Sequence, residues 1–505
     1  MMHEREKSDP AIRAGKPTNK AEANHAVHGV ADAADPVEQR SGTKGNAGEQ
    51  STHRTQCRER VSQALDRVRK AASQRKKEKL TALLHHINTD LLLTAFFALK
   101  RDAASGVDGV TWQTYEADLD LNVTDLALRV QRGAYRALPS RRTYIPKADG
   151  RQRPIAIAAL EDKIVQRATV AVLNCIYEEE FLGFSYGFRP KRGQHHALDA
   201  LCVGITTKRV NYIFDGDVRS FFDEVSQEWL IRFVEHRVGD PRIIRLIRKW
   251  LKAGVLEDGI VTVSEKGTGQ GSVISPLLAN VYLHYVFDLW AERWRRLEAT
   301  GDMIIVRYAD DLVVGFEHES DARRFWDAMR QRLEEFSLSL HPDKTRLIEF
   351  GRHAADRRAQ RGLGKPETFK FLGFIFICGR SRKGKFLLKR KSRRDRMRAK
   401  LSKITEELRR RMHQPIPEQG RWLAQVIRGY FAYHAVPTNF RALSAIRHHV
   451  TRLWMRTLRR RSQKDMFTWE RITKLANDFL PQPRILHPWP EVRFAVTTQG
   501  GSRMP

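Results

Sequence analysis

The chain has 505 residues, 41% of them hydrophobic, and carries 90 Lys and Arg against 59 Asp and Glu, a formal charge of +31. This length and apolar content allow roughly three domains with cores, which excludes a wholly disordered basic protein. No apolar run reaches the ~18 residues of a membrane span, no secretory signal is expected, and the four scattered cysteines exclude a disulfide framework or a cysteine-rich zinc site. The composition fits a protein of the reducing cytoplasm, and its charge indicates a polyanionic partner.

The N-terminal region differs from the rest of the chain in composition. Residues 1–60 contain ten Lys and Arg and nine Asp and Glu, and they show no apolar period. Such a segment buries too little apolar surface to offset the entropy lost on ordering. We therefore expect residues 1–75 to form a disordered or weakly ordered leader.

A basic cluster runs from Arg132 to Arg153 and surrounds a predicted β-hairpin. Residues 143–146 (TYIP) and 153–157 (RPIAI) are short β-rich runs on either side of an Ala-Asp-Gly turn. An Asp-Gly turn between two such runs is typical of a hairpin. The basic side chains of this cluster should project from a β-ribbon.

Two acidic segments follow the hairpin. Residues 211–218 (NYIFDGDV) predict a buried strand that ends at Asp217, and residues 303–316 (MIIVRYADDLVVGF) predict a hairpin with Asp310 and Asp311 at its turn. Between them, a Gly-rich loop leads into a helix that begins near Ser275-Pro276, where proline suits the first turn.

Clustered carboxylates at the ends of apolar strands repel one another and raise each other's pKa. Divalent cations remove this conflict: two Mg²⁺ ions about 4 Å apart, held by carboxylates and substrate phosphates, support phosphoryl transfer. Taken singly, an Asp-Asp pair in a hairpin is more often a plain turn, and Asp217 at a strand end is similarly ambiguous. Asp215 lies on the same strand face as Asp217 and is a further candidate acid.

The stretch 380–461 holds 25 Lys and Arg and only four Asp and Glu, so it carries most of the net charge. Its apolar residues recur at three- and four-residue intervals in two series, which predict amphipathic helices: Met397, Leu401, Ile404, Leu408 and Met412, then Leu443, Ile446, Val450, Leu453 and Trp454. A helix face with almost no acids suits phosphate backbones, although a basic bundle without such a partner has the same composition.

Three segments occur in a characteristic order along the chain: 217–223 (DVRSFFD), 267–276 (GTGQGSVISP) and 308–311 (YADD). This ordered set resembles the reverse transcriptases of the group II intron type, the intron-encoded polymerases and maturases of bacteria. Other segments that are similar to motifs of this family are 106–109, 144–154, 185–190, 341–345 and 371–374. The loop departs from the family pattern at Gly269, where proline is usual, and at Ser272, where glycine is common.

The resemblance implies an RNA-directed DNA polymerase and assigns roles to individual residues. Asp217, Asp310 and Asp311 match the catalytic carboxylates, which would hold two Mg²⁺ ions together with the backbone carbonyl of Val218. The residues that match the site for the incoming dNTP are Lys147, Arg153, Arg141, Phe222, Gln270 and Lys344. Phe222 matches the bulky group that excludes a ribose 2′-hydroxyl; a core aromatic beside Phe221 is the other interpretation.

The basic region after residue 380 would then be the thumb, or maturase, domain. The arginines assigned to nucleic-acid binding are Arg189, Arg393, Arg394, Arg428 and Arg460. Eleven residues follow Phe494 and no Cys/His cluster is present, so the resemblance implies a relative without an HNH endonuclease, and His487 is interpreted as structural.

We expect an α+β right-hand polymerase with an antiparallel palm sheet and a helical basic thumb. The predicted parts are fingers with an N-terminal extension (85–200), a palm (201–378), a thumb or maturase domain (379–494) and a tail (495–505). The expected partners are an intron RNA template, a DNA primer or target and dNTPs, in the bacterial cytoplasm and not at a membrane.

The predicted function combines reverse transcription with assistance to intron splicing and retrohoming. One alternative is an RNA-binding splicing maturase with an idle polymerase. The others are a reverse transcriptase that serves a defence or CRISPR-linked role, and a DNA-templated polymerase.

Overall fold

The computed structural model describes residues 50–146, 152–269, 271–461 and 467–493, with side chains from Cys57 onward. In these ranges the α-helices are α1 (Gln50–Gln74), α2 (Thr89–Phe97), α3 (Trp112–Glu116), α4 (Leu119–Gln131), α5 (Leu160–Tyr177), α6 (Gln194–Thr207), α7 (Phe221–Glu224), α8 (Gln227–Arg237), α9 (Pro241–Lys252), α10 (Ser275–Leu283), α11 (Leu289–Leu297), α12 (Glu319–Glu335), α13 (Ala354–Gln360), α14 (Arg394–Arg410), α15 (Ile416–His434), α16 (Phe440–Arg459), α17 (Trp469–Phe479) and α18 (Pro490–Arg493). A 3₁₀ turn spans Leu84–His86, and a π-helical turn spans His284–Asp288 between α10 and α11.

The strands form three small sheets in the described part of the chain. They are β1 (Ser140–Pro146), β2 (Gln152–Ile157), β3 (Tyr212–Asp217), β4 (Val255–Glu257), β5 (Ile260–Thr262), β6 (Met303–Tyr308), β7 (Asp311–Phe316), β8 (Arg346–Glu349), β9 (Phe369–Phe371), β10 (Phe374–Arg380) and β11 (Phe386–Ser392). The strand orders are β2-β1-β4-β5, β11-β10-β9 and β6-β7-β3-β8. The fold is therefore mixed α and β.

The β6-β7-β3-β8 sheet is antiparallel throughout, as predicted. Its central strands are runs of buried apolar residues because helices such as α6 and α12 pack against it. Strands buried on both faces read as continuous apolar runs rather than as alternating patterns. This burial leaves the polar strand ends as the part of the sheet that meets solvent.

The predicted β-ribbon is present as β1 and β2, and its turn, residues 147–151, lies outside the described residues. The sequence did not predict that the ribbon continues into β4 and β5, with β1 and β4 pairing in parallel. Both added strands have only three residues, too short for a periodic signal.

The predicted disordered leader requires a correction. Residues 1–49 lie outside the described residues, but residues 50–74 form α1 instead of an irregular segment. Val68 and Ala72 of α1 are buried, and the helix packs on α5 and α2. Val61 and Leu65 extend the same stripe at helical spacing, and dense surrounding charge obscured this pattern in the sequence.

The described residues contain two hydrophobic cores. The larger one runs from α1 to β11, and the smaller one joins α14, α15, α16 and α17. Both predicted basic helices are present as α14 and α16, with their apolar stripes turned into the smaller core. The predicted palm–thumb boundary at 378/379 is misplaced, because it cuts strand β10 within the β11-β10-β9 sheet.

A buried ion-pair cluster, the Asp199 seam, joins three distant elements. Asp199 on α6 is 1% exposed. Its carboxylate lies 2.9 Å from Nη1 of Arg390 on β11 and 2.9 Å from Nε of Arg493 on α18. Because β11 leads directly into α14, this seam attaches the start of the basic helices to the larger core.

Among the helices in the described ranges, none combines the length and the hydrophobicity that crossing a membrane requires.

Candidate active site

Three acids meet at one end of the antiparallel sheet. Asp217, the last residue of β3, is directly opposite Asp311, the first residue of β7, and Asp310 lies in the turn just before Asp311. Opposed residues in an antiparallel pair project from the same face with Cβ atoms about 4.5–5.5 Å apart. The predicted approach of Asp217 to the hairpin is confirmed by this register.

The acids affect one another electrostatically. Asp311 has solvent access, yet desolvation by the surrounding protein, reinforced by Asp310, Asp217 and Asp215, raises its pKa to about 7. Desolvation, with Asp217 adding to it, also raises the pKa of Asp310 and of Asp215. The site concentrates negative charge in a way that a cationic partner would relieve.

The segment after α12 packs against the end of β3. The N–H of His341 donates to the carbonyl of Asp217 at 2.8 Å, and Leu340 bridges Val218. Lys344 extends from this segment, and its Nζ lies 2.7 Å from Oδ2 of Asp217. Lys344 was predicted for the dNTP site, and the structure places its ammonium on a catalytic carboxylate.

The buried side chain of Arg307 forms hydrogen bonds around the acidic turn. The Arg307 guanidinium donates to both oxygens of Asp288 at 2.6 Å, to Oδ1 of Asn280 at 2.9 Å and to Oγ of Ser185 at 2.7 Å. Its Nη1 also donates to the carbonyl of Ala309 at 3.1 Å. Ala309 has φ of +55°, a strained conformation for a residue with a side chain, so this network holds the turn in place.

The segment 185–190, one of those similar to family motifs, also hydrogen-bonds to this network. The N–H of Tyr186 donates to the carbonyl of Arg307 at 2.9 Å, and Nδ2 of Asn280 donates to the carbonyl of Gly187 at 2.6 Å. A Cβ at Gly187 would lie 2.3 Å from the backbone nitrogen of Ala309. Only glycine permits this close approach of the motif to the catalytic turn.

The Gly-rich loop lies against strand β2. Gly271 has φ of +105°, and a Cβ there would lie 2.8 Å from the carbonyl oxygen of Ala156. Ser272, which departs from the family pattern, has a partner: its Oγ lies 2.8 Å from Oε1 of Gln166. The serine thus anchors the loop to α5. Gln270 lies outside the described residues.

The two adjacent phenylalanines have different surroundings. Phe221 is 2% exposed and belongs to the core, whereas Phe222 is half-buried beside it. The carbonyl of Phe222 accepts from the N–H of Thr268 at 2.8 Å, which links it to the Gly-rich loop. Phe222 packs against the core at its edge and is partly accessible, whereas Phe221 is not accessible.

The basic residues predicted for the dNTP site lie in different places. Arg153 on β2 is exposed, and its charge opposes the rise in the pKa of Asp310. Arg141 donates instead to the carbonyl of Ser105 at 2.9 Å, which ties β1 to the preceding segment. Lys147 lies outside the described residues.

Comparison with known proteins identifies the fold family. Residues 145–376, which enclose all three acids, match the reverse transcriptase (RNA-dependent DNA polymerase) family. Protein YkfC of Escherichia coli K12 is 34% identical over 314 residues, covering 55% of this chain and 77% of YkfC. The chain belongs to the reverse transcriptase family. The family implies a polymerase fold, RNA-directed DNA polymerase chemistry and nucleic-acid substrates.

Other relatives of this reverse transcriptase are named after introns. The group II intron-encoded protein LtrA of Lactococcus lactis subsp. cremoris is 32% identical over 222 residues, covering 44% of this chain and 37% of LtrA. An uncharacterized 91 kDa protein in the cob intron of Schizosaccharomyces pombe is 35% identical over 199 residues, covering 39% of this chain and 24% of that protein. The matches thus span a minority of both intron proteins.

One arginine that was predicted to bind nucleic acid is buried. Arg189 is 6% exposed, and its guanidinium forms a bidentate pair with Glu178 at 3.0 Å and donates to the carbonyls of Leu182 and Ser185. Four of its five N–H donors are thus bonded within the protein, to the segment before α6. The sequence motif indicated its presence but not its burial.

The other predicted arginines lie on or beside helices α14, α15 and α16. Arg394 and Arg428 are exposed, and Arg460 is exposed at the end of α16. Arg393 is less available because its guanidinium pairs with Asp395 at the start of α14.

The carboxylates of the reverse transcriptase fit a magnesium site in donor chemistry. Hard oxygen ligands suit Mg²⁺, which binds through one or two carboxylates plus substrate phosphates. Within the described residues, no group of three or more His, Cys, Asp or Glu side chains is arranged to hold a metal by itself.

The sequence did not predict the buried network of Arg307, Asp288 and Asn280 next to the acids. Arg307 is the one charged residue in an otherwise apolar strand, and a buried arginine requires a partner. That signal was visible, but its partners, Asp288 and Asn280, lie 19 and 27 residues away. No local pattern relates them to the strand.

Proposed function

We propose that this chain is an RNA-directed DNA polymerase that joins a primer 3′-hydroxyl to the α-phosphate of a dNTP. The observation that carries the proposal is the register that pairs Asp217 with Asp311 beside Asp310, inside the segment that matches the family. Acids at this spacing, with raised pKa values for Asp310 and Asp311, favour cation-assisted phosphoryl transfer over a structural role.

The proposed site divides its tasks among the chain's own residues. Asp217, Asp310, Asp311 and the backbone carbonyl of Val218 would hold Mg²⁺, which when bound supplies positive charge at the reacting phosphate. Arg153, with Lys147, would bind the triphosphate, since cations stabilise charge that gathers on the leaving pyrophosphate. Lys344, whose ammonium contacts Asp217, would position this acid or donate a proton to the leaving pyrophosphate.

We further propose that residues 85–200, 201–378 and 379–494 act as fingers, palm and thumb of a right-hand polymerase, with the last boundary moved past β11. The antiparallel β6-β7-β3-β8 sheet supports the palm assignment, and the separate core of α14 to α17 supports the thumb. Residues 495–505 and most of the N-terminal leader lie outside the described residues.

We propose a second role in binding a cognate intron RNA to assist splicing and retrohoming, in the bacterial cytoplasm, with target DNA as the primer. This role is supported by the first half of α14, where Arg394, Arg398 and Lys403 are exposed and form no ion pair with any described residue. A splicing maturase with an idle polymerase, or a defence-linked reverse transcriptase, would share this surface.

The polymerase proposal is tested with poly(rA)/oligo(dT), dTTP and Mg²⁺. The wild type should extend the primer, and Asp310→Asn/Asp311→Asn should lose at least about 100-fold of the rate, since both preorganised charges are removed. The matched control is Asp327→Asn/Asp478→Asn, which neutralises two exposed acids outside the acidic turn.

Equal extension by wild type and the Asp310/Asp311 variant would contradict the catalytic assignment. A wild type that binds RNA but extends no primer would favour the splicing-only alternative. The thumb role predicts that Arg394→Gln/Arg398→Gln lowers the salt dependence of RNA binding by about two counter-ions, because each lost phosphate contact changes the slope by about one.

A further inference from the structure

A cleft on the surface of the chain collects cations outside the carboxylate site. It lies between the C-terminal end of α4 and helix α9 and encloses a cavity of about 120 Å³. We call it the α4–α9 cleft. Its cationic lining residues are Arg132, Arg242, Arg245 and Lys249, and Arg136 lies near enough for its charge to affect Lys249. No residue that lines the cavity is acidic, and none belongs to the catalytic site.

The arginines at the cleft differ in their partners. Arg242, which lines the cavity, is paired with Asp240 at 3.1 Å, and Arg248 on the same helix is paired with Glu235 at 3.1 Å. In contrast, Arg132, Arg136 and Arg245 are exposed, and their guanidinium groups form no hydrogen bond or ion pair with another described residue. Exposed arginines elsewhere in this chain are frequently paired with acids, so three unpaired ones around one cavity need an explanation.

The cleft also holds like charges together. The ammonium of Lys249 donates to the carbonyls of Gly133, at 3.0 Å, and Tyr135. Desolvation, and then the charges of Arg245 and Arg136, lowers the pKa of Lys249. Mutual repulsion of this kind is relieved when an anion binds between the cations.

The elements that carry these cations are firmly fixed. Leu84, Val130 and Leu246 line the cavity and are almost fully buried. Tyr135, at the rim, is 1% exposed; its hydroxyl bonds to Asp162 and accepts from Nε1 of Trp250 at 2.9 Å. A preformed cationic cleft loses little conformational entropy on binding its ligand, which favours affinity.

We propose that the α4–α9 cleft binds phosphodiester groups of a polynucleotide that is not in the polymerase site. The inference rests on the proposed nucleic-acid function and adds a second place of attachment. The cavity admits one phosphate group, and Arg132, Arg136 and Arg245 extend the contact along the adjacent backbone. Guanidinium groups suit this task because they bind phosphate oxygens in bidentate fashion.

The test uses the full chain and two labelled probes, a transfer RNA and a short DNA duplex, titrated over a series of salt concentrations. Arg132→Gln/Arg245→Gln should weaken binding of at least one probe about tenfold and lower its salt slope by about two, since two phosphate contacts are lost. Extension of poly(rA)/oligo(dT) should stay at the wild-type rate.

The matched control is Arg232→Gln/Arg248→Gln, which removes the same charge from two exposed arginines that are already paired with Glu228 and Glu235. Its salt slope should equal that of the wild type. Arg132→Lys/Arg245→Lys keeps the charge and should retain most of the binding, which separates lost contacts from misfolding.

The two probes distinguish the source of the phosphodiester. A loss confined to transfer RNA assigns folded RNA, a loss confined to the duplex assigns DNA, and a loss for both assigns the backbone common to them. Equal slopes for wild type and Arg132→Gln/Arg245→Gln with both probes would overturn the proposal. Failure of the wild type to extend a primer would instead contradict the polymerase function, so the two failures are distinguishable.

Discussion

Arg307 and Asp288 form a bidentate ion pair in which neither side chain has any exposed surface. Burial favours the neutral acid, but the charge and hydrogen bonds of Arg307, together with His284, outweigh burial and hold the pKa of Asp288 below its usual value. The pair fixes the guanidinium so that Nη1 donates to the Ala309 carbonyl, directly before the catalytic acids. The geometry of the acidic turn therefore depends on a pair of residues that touch no substrate.

Removal of one member of this pair should be costly. We predict that Arg307→Met lowers the free energy of unfolding by about 3–5 kcal/mol, because it leaves the Asp288 charge buried and unpaired. Thermal unfolding of the purified chain measures the loss. Primer extension should fall more steeply than the folded fraction does.

The double variant Arg307→Met/Asp288→Leu separates folding from positioning. Replacing both charges with apolar groups should recover much of the lost stability, since no buried charge is left unpaired. Extension should stay low, because the Ala309 carbonyl still lacks its donor. Full recovery of kcat along with stability would show that the pair has no role in positioning the turn.

The close approach of Gly187 to the turn gives a second prediction. Gly187→Ala adds a methyl group 2.3 Å from the Ala309 nitrogen, so the turn or the motif must shift, at a cost of about 1–3 kcal/mol. Extension by Gly187→Ala should fall at least about tenfold, since small misplacements of reacting groups are costly. The control is Gly193→Ala, where a Cβ would meet nothing within 4 Å. Equal losses in both variants would contradict the prediction.

Phe222 should control sugar selection. Phe222→Ala is expected to raise the use of rNTP relative to dNTP by about 10–100-fold, in the range that steric discrimination in a pocket provides. Competition between dTTP and UTP on poly(rA)/oligo(dT) measures the ratio. The control Phe221→Leu alters the neighbouring core residue and should lower stability without changing sugar selection. If Phe221→Leu changed the ratio and Phe222→Ala did not, the assignment of sugar selection to Phe222 would be wrong.

Acid should destabilise the fold through buried histidines. His195 stacks on His487 at 4.0 Å, and burial, followed by nearby positive charge, lowers its pKa from 6.5 to about 2. A histidine with a lowered pKa contributes stability that is complete above pH 6.5 and is lost as the pH falls below it. Each pH unit below 6.5 should therefore cost up to about 1.4 kcal/mol for one such group.

Thermal unfolding at a series of pH values between 5 and 8 (roughly the range in which histidine titrates) tests this expectation. His195→Phe should flatten the acid side of the profile, since Phe keeps the ring contact and cannot bind a proton. His413→Gln, at an exposed position between α14 and α15, should leave the profile unchanged. An equally steep profile in His195→Phe would exclude His195 as a source of the acid sensitivity.

The sequence predicted the elements that carry the acids because each one has a strong local signal. Strands β3, β6 and β7 are largely apolar runs with acids at or beside one end. Pro276 marks the first turn of α10. The register that brings Asp217 opposite Asp311 followed from the expectation that both belong to one sheet. The chemical roles of these residues, including Lys344, stay predictions until activity is measured.

The features that the sequence did not predict depend mainly on contacts between residues that are far apart in the chain. Burial of Arg189 and the partners of Arg307 are set by packing of several elements, and single-residue identity does not reveal them. Helix α1 was missed because four apolar residues among many charges give a weak period.

The Asp199 seam limits how far the basic helices can move. Swinging β11 and the start of α14 away from α6 would separate the buried Arg390 guanidinium from Asp199, at a cost of about 3–5 kcal/mol. A bound polynucleotide would therefore have to be accommodated without opening the chain along this seam.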